Sequence, residues 1–163
     1  MFLETSTLSK ILLVDDQAAV IHQLHGIVSD LAETYFATNG VAALEMVQRH
    51  RPDLVLLDIE MPELDGYGVC RAIKAMKDLA GTSIIFITSH VDPIAEIMAL
   101  ELGGIDYIPK PIVPEVARAR IKNHLALALH RKQLQRAAGE LKFLVSSLPV
   151  FVAYWDEQLN NLF

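Results

Sequence analysis

Five short apolar runs punctuate the chain: Ile11 to Val14, Tyr35 to Ala37, Leu54 to Leu57, Ile84 to Ile87 and Ile105 to Ile108. Each is brief and bounded by polar or turn-forming residues, the pattern of strands. Between them, apolar positions recur at helical spacing over Ala18 to Leu31, Gly40 to Arg49, Tyr67 to Met76 and Pro93 to Leu102, and a longer helical stretch begins near Val113. Strand and helix therefore alternate. The runs are continuous rather than alternately polar, which implies burial on both faces, hence a parallel sheet with helices covering each side. The expected architecture is a doubly wound five-stranded α/β sheet. In such sheets ligands bind beyond the carboxyl ends of the strands, where the winding reverses.

Those strand ends are where the chemistry gathers. The first run is followed by Asp15 and Asp16, and the third by Asp58. Three carboxylates converging on one rim repel and raise one another's pKa unless a cation neutralises them. Hard oxygen ligands without His or Cys favour Mg²⁺ or Mn²⁺ over zinc, and Mg²⁺ is commonly held by one or two carboxylates together with a phosphate. Read singly, each aspartate is equally well a cap for the helix that follows it. The fourth run ends at Thr88 and Ser89, and the fifth leads into Lys110-Pro111, so a hydroxyl and an ammonium reach the same rim. Either complements a phosphoryl group.

With those residues in view, the sequence resembles the response-regulator receiver family. The resemblance rests on the acidic pair after the first strand and on Asp58-Ile-Glu-Met61-Pro62-Glu-Leu-Asp65-Gly66 after the third, and extends to Thr88 and Lys110-Pro111. It implies a flavodoxin-like fold over about Lys10 to Leu129. It further implies that Asp58 is the phosphorylated aspartate, Asp16 a direct metal ligand, Asp15 a ligand mainly through water, and the Glu60 carbonyl the third protein ligand. Thr88 would be the switch hydroxyl, Tyr107 the aromatic switch residue, and the Lys110-Pro111 bond cis. A histidine kinase or phosphotransfer protein would be the phosphate donor. A metal-dependent phosphatase acting on a small molecule is the competing class. Phosphatases of the haloacid-dehalogenase type carry an Asp-x-Asp segment after strand one, whereas Asp15 and Asp16 are adjacent.

Composition narrows the remaining choices. The net charge of -6 speaks against a phosphate-tracking nucleic-acid surface, and no long uncharged apolar run predicts a membrane span. A lone cysteine, Cys70, excludes an internal disulfide and is expected to be a small buried hydrophobe. With no signal-like N-terminus, the expected compartment is the cytoplasm.

The domain plan is a tail over 1–9, a receiver over 10–129, a helical linker over 130–146 and, over 147–163, the start of a further domain. Leu127, Leu134, Leu141 and Leu148 recur at heptad spacing, which predicts either a coiled-coil homodimer or, if the last helix stops near Leu129, a frayed linker. The segment Ser147 to Asp156 weakly resembles the entry to a PAS sensory domain. That pattern implies an output domain further along a longer protein, a cyclic-dinucleotide enzyme or a histidine kinase in related arrangements.

Overall fold

The computed structural model describes residues 8–89, 97, 98 and 100–147. In chain order the elements are β1 (Lys10–Val14), α1 (Ala18–Val28), β2 (Glu33–Ala37), α2 (Gly40–His50), β3 (Leu54–Asp58), α3 (Gly66–Ala75), β4 (Ser83–Thr88), β5 (Asp106–Pro109) and α4 (Pro114–Ser147). Ile97, Met98, Leu100 and Glu101 are also helical, while 93–96 and 99 of the helix expected over Pro93 to Leu102 lie outside the described residues.

All strand pairings are parallel, in the order β2-β1-β3-β4-β5. The chain steps outward from β1 to β2 and then returns across β1 to β3, so the winding reverses between β1 and β3. Successive side chains of a strand face opposite sides of the sheet, and two cores result. Leu13, Leu56, Ile85 and Ile87 pack on Leu24 and Ile27 of α1 and Ile121 of α4. Leu12, Val55, Leu57 and Phe86 pack on Val47 of α2 and on Val69, Cys70 and Ile73 of α3.

Strands β1, β3 and β4 are buried almost throughout, which is why their apolar runs are continuous. On the edge, β2 exposes Glu33 and Phe36, so its apolar run understates its length. Helix α1 stops at Val28, short of the expected Leu31: the Ser29 N–H makes the last helical bond, to the His25 carbonyl, and the Leu31 N–H then turns back to Val28 in a tighter closure. A forked contact fastens α1 to α4: Arg118 donates two 2.7 Å bonds to the Asp30 carboxylate and a third, also 2.7 Å, to the Ile27 carbonyl. Cys70 is fully buried, its thiol donating to the Leu102 carbonyl, and burial pushes its pKa up.

The chain divides into two compact units, Met1–Leu129 and His130–Phe163. Helix α4 is continuous to Ser147, Gly139 included, and no helix among the described residues is long and apolar enough to cross a membrane. Leu148 and, apart from Ser147, the segment resembling a PAS entry lie outside the described residues.

Candidate functional site: an acidic rim bridged by one lysine

The carboxyl ends of β1 and β3 are neighbours in the sheet, with Val14 opposite Leu57. The next residue on each strand is therefore Asp15 and Asp58, set side by side at the rim. Asp15 continues toward β2 through its N–H to the Ala37 carbonyl. Both side chains are buried, Asp15 to 0% exposure and Asp58 to 1%, whereas Asp16 is exposed. Asp15, Asp16 and Asp58 each offer one oxygen within a set spanning no more than 4.8 Å.

Capping does not account for them. The helix after Asp58 is capped by Asp65, whose Oδ1 accepts from the Gly68 N–H at 2.7 Å. Helix α1 begins after Gln17 without any side-chain cap. Asp15 Oδ1 accepts instead from the Gln17 N–H at 2.8 Å, which shapes the loop rather than the helix end.

Lys110 reaches this rim from the end of β5. Its ammonium donates to Asp15 Oδ2 at 2.9 Å and to Asp58 Oδ1 at 3.0 Å. The Lys110 N–H also bonds the Thr88 carbonyl at 2.8 Å, and the Lys110-Pro111 peptide is cis. Both oxygens of Asp15 thus have donors. Asp58 differs: its Oδ2 is buried with no hydrogen-bond partner. A buried, unsatisfied carboxylate oxygen is costly and calls for an explanation.

The electrostatics follow from crowding. Burial raises the Asp58 pKa, Lys110 opposes the rise, and the Asp15 charge adds to it. For Lys110, burial acts to lower the pKa, but the hydrogen bonds and charges of Asp15 and Asp58 together outweigh it and leave the ammonium more firmly protonated than usual. Three carboxylates face one ammonium, so the rim carries a net charge of about -2, the deficit a divalent cation would fill. The residues present therefore fit a hard divalent cation: an exposed Asp16, an orphaned Asp58 oxygen, and no nitrogen or sulfur donor among the group.

The loop from β3 to α3 is held against the strand that carries Asp58. The Ile59 N–H bonds the Ile87 carbonyl of β4, and the Gly66 N–H returns to the Ile59 carbonyl at 3.0 Å. The left-handed residue of this loop is Glu63 (φ 68°). Gly66 serves this loop by close approach. A Cβ there would run into the Asp58 carbonyl oxygen and stand 2.8 Å from the Ile59 Cα. Glu60 is exposed.

Thr88 lies one residue beyond Ile87, the β4 partner of Asp58, and is buried. Tyr107, on β5 beside Phe86 of β4, is half-buried. Its setting contains a network the sequence did not announce. The Arg120 guanidinium sits 5.8 Å from the centre of the Tyr107 ring. Asp106 holds Arg120 there through a 2.6 Å bond and also receives His124 Nε2 at 3.1 Å. The only sequence signal was a basic face on α4 with Arg120 and His124 one turn apart, which needs the register of α4 against β5 to be interpreted.

Comparison with known proteins agrees with this geometry. The family model for the response regulator receiver domain matches residues 11–122. Among curated relatives, the "Probable transcriptional regulator ycf27" of Guillardia theta is 40% identical over 123 residues, covering 74% of this chain and 46% of that protein. The alkaline phosphatase synthesis transcriptional regulatory protein PhoP of Bacillus subtilis is 31% identical over 134 residues, covering 82% of this chain and 53% of that one. The chain thus spans about half the length of the curated relatives it matches. Among solved structures, the BeF3-activated DrrB receiver domain superposes with a TM-score of 0.67 at 28% identity, covering 73% of this chain and 98% of that one. The receiver domain of a signal transduction histidine kinase from Syntrophus aciditrophicus gives 0.66 at 34%, covering 72% and 90%.

Proposed function

The chain belongs to the response regulator receiver family, and from that premise we propose that Asp58 is the residue that accepts the phosphoryl group. The observation that carries this reading is the asymmetry of the rim. Asp15 has both oxygens engaged and Asp16 is exposed, but Asp58 is buried, held through Oδ1 by Lys110, and left with Oδ2 unpartnered. That oxygen is the free nucleophile of the site.

In the proposed reaction the partner is a phosphohistidine on a histidine kinase or phosphotransfer protein, met in the cytoplasm. Asp58 Oδ2 forms a bond to phosphorus as the phosphorus–nitrogen bond of the donor breaks, and the imidazole departs with the electron pair. Lys110 keeps the carboxylate fixed in position and offsets negative charge on the transferring group. Asp16, Asp58 and the Glu60 carbonyl would hold Mg²⁺ (or Mn²⁺) directly, with Asp15 contributing mainly through water. When bound, that ion supplies charge neutralisation at the phosphoryl oxygens.

Phosphorylation adds about -1.5 to -2 charge at the rim. The Thr88 hydroxyl is the group poised on the adjacent strand to donate to the new phosphoryl oxygens. Its movement would loosen the packing around Tyr107, linking the rim to the surface formed by β5 and the first turns of α4. Hydrolysis of the acyl phosphate resets the switch. An output domain, cyclic-dinucleotide enzyme or kinase, would lie in the longer protein, with a PAS segment following the linker. The free-standing phosphatase reading has no observation in its favour.

The test is labelling by a small acyl phosphate. Wild-type protein should incorporate phosphate with Mg²⁺ and not with chelator, and Asp58→Asn should incorporate none. Undiminished Mg²⁺-dependent labelling of Asp58→Asn would refute the assignment.

A further inference from the structure

Two glycines make room for one leucine beside the rim. A Cβ at Gly40, the first residue of α2, would stand 2.5 Å from the Leu64 carbonyl oxygen and 2.8 Å from the Leu64 Cβ. A Cβ at Gly68 in α3 would stand 2.6 Å from Leu64 Cδ1. Neither approach is open to a real methyl group, so Leu64 occupies a slot that exists because both helices carry glycine there. The leucine is half-buried and packs on the core shared by α2 and α3.

Leu64 also anchors a loop with little slack. The Met61 N–H closes back on the Ile59 carbonyl at 3.2 Å and the Leu64 N–H on the Pro62 carbonyl at 2.8 Å, so two tight turns follow one another, centred on Glu60 and Glu63. Glu63 has φ 68°, a conformation that is costly for a residue with a side chain and persists only where the surroundings enforce it. Pro62 fixes its own φ on one side, and the seated Leu64 holds the other. With both turns closed, a shift of Leu64 passes along the loop to Glu60 instead of being absorbed between them.

The slot lies against the segment that reaches the acidic pair. Ala37, shortly before Gly40, accepts the Asp15 N–H at 3.2 Å, and Gly66, at the far end of the loop, is packed on the Asp58 carbonyl. The span that holds Glu60 is therefore referenced to Asp15 through Leu64 and Gly40, and to Asp58 through Gly66. We propose that Leu64 is a positioning residue for the divalent cation, fixing where the Glu60 carbonyl stands relative to Asp16 and Asp58. This rests on the cation reading of the rim. Mg²⁺ demands near-ideal octahedral geometry, so a carbonyl free to drift is a weaker ligand.

The experiment titrates the full chain with Mn²⁺, the free ion being counted by electron paramagnetic resonance, with thermal melting in chelator alongside. The wild type should bind a single ion, and Asp16→Asn should bind it far more weakly. Leu64→Ala should weaken binding by about tenfold or more, as is typical when a residue supporting a metal ligand is removed. Leu64→Met, similar in volume, should bind as the wild type does. Val47→Ala, a core truncation on α2, is the control: it should melt lower, as Leu64→Ala does, with its Mn²⁺ affinity unchanged. Gly68→Ala should weaken binding on its own and cost nothing further in Leu64→Ala, where the Cδ1 atom it would strike is gone. Wild-type affinity in Leu64→Ala, with Asp16→Asn impaired, overturns this proposal alone. So does a loss in Val47→Ala equal to that in Leu64→Ala, which would make the effect one of stability. A wild type that binds no Mn²⁺, or binds it indifferently to Asp16→Asn, overturns the cation reading of the rim and this proposal with it.

Discussion

Lys110 Nζ stands 3.0 Å from Asp58 Oδ1 while also bonding Asp15 Oδ2 at 2.9 Å, so one ammonium holds two strand ends together. Removing it leaves two buried carboxylates facing each other. Breaking a buried pair typically costs about 3–5 kcal/mol. Lys110 retains 17% exposure, so Lys110→Ala is expected to lose about 2–3 kcal/mol. Urea unfolding in chelator measures this, and Mg²⁺ should restore part of the loss. An unchanged midpoint would show that the lysine is a bystander.

Gly66 tests whether the position of Asp58 matters as finely as the packing implies. A methyl group there meets the carbonyl of Asp58 itself. Overpacking of this kind costs about 1–3 kcal/mol, and here the displacement falls on the proposed phosphoacceptor. Gly66→Ala should fold with a lowered melting temperature and label with acyl phosphate at least about tenfold more slowly, a factor worth about 1.4 kcal/mol in the barrier. Wild-type labelling kinetics would mean that the loop yields without moving Asp58.

Arg120 over Tyr107 defines a resting position for the ring, and Asp106 is its anchor. A cation–π contact of this kind contributes about 0.5–1 kcal/mol at an exposed site. Asp106→Asn should release Arg120 and let Tyr107 sample more orientations before any phosphorylation. In a protein carrying fluorotyrosine, the Tyr107 resonance of the variant should shift toward its phosphorylated position. A resonance identical to the wild type would separate Arg120 from the switch proposed for Tyr107.

The Asp30 contact with Arg118 gives a pH dependence of known sign. The hydrogen bond from Arg118 holds the Asp30 pKa below its ordinary 3.8. A depressed carboxylate pKa contributes stability that is fully present above the unfolded value and is lost as the pH falls through the lower folded value. Asp30→Asn should therefore melt lower than wild type near neutral pH, and the gap should close below about 3.8. A gap that is constant with pH would point to the Ile27 carbonyl contact instead.

Much of the candidate site's placement was legible in the sequence because its residues sit at the ends of buried strands. An Asp after an uninterrupted apolar run, as at Asp15 and Asp58, can only emerge at the sheet rim, and Lys110 follows the fifth run in the same way. What stayed hidden depends on register between distant elements. That Lys110 is shared between Asp15 and Asp58 joins positions 95 and 52 residues apart. The Asp106, Arg120 and His124 network needs α4 to pass β5 at a particular height, which no local pattern encodes. The close approach at Gly66 is hidden for a related reason: a turn glycine and a close-packing glycine look alike until the neighbouring backbone is known.

The most direct test of the central claim locates the phosphate chemically. Protein treated with acyl phosphate and Mg²⁺ is reduced with borohydride, which converts an aspartyl phosphate to homoserine, and its peptides are then sequenced by mass spectrometry. Homoserine at position 58 alone is the predicted result. Homoserine at 15 or 16, or none at 58 in labelled protein, would contradict it.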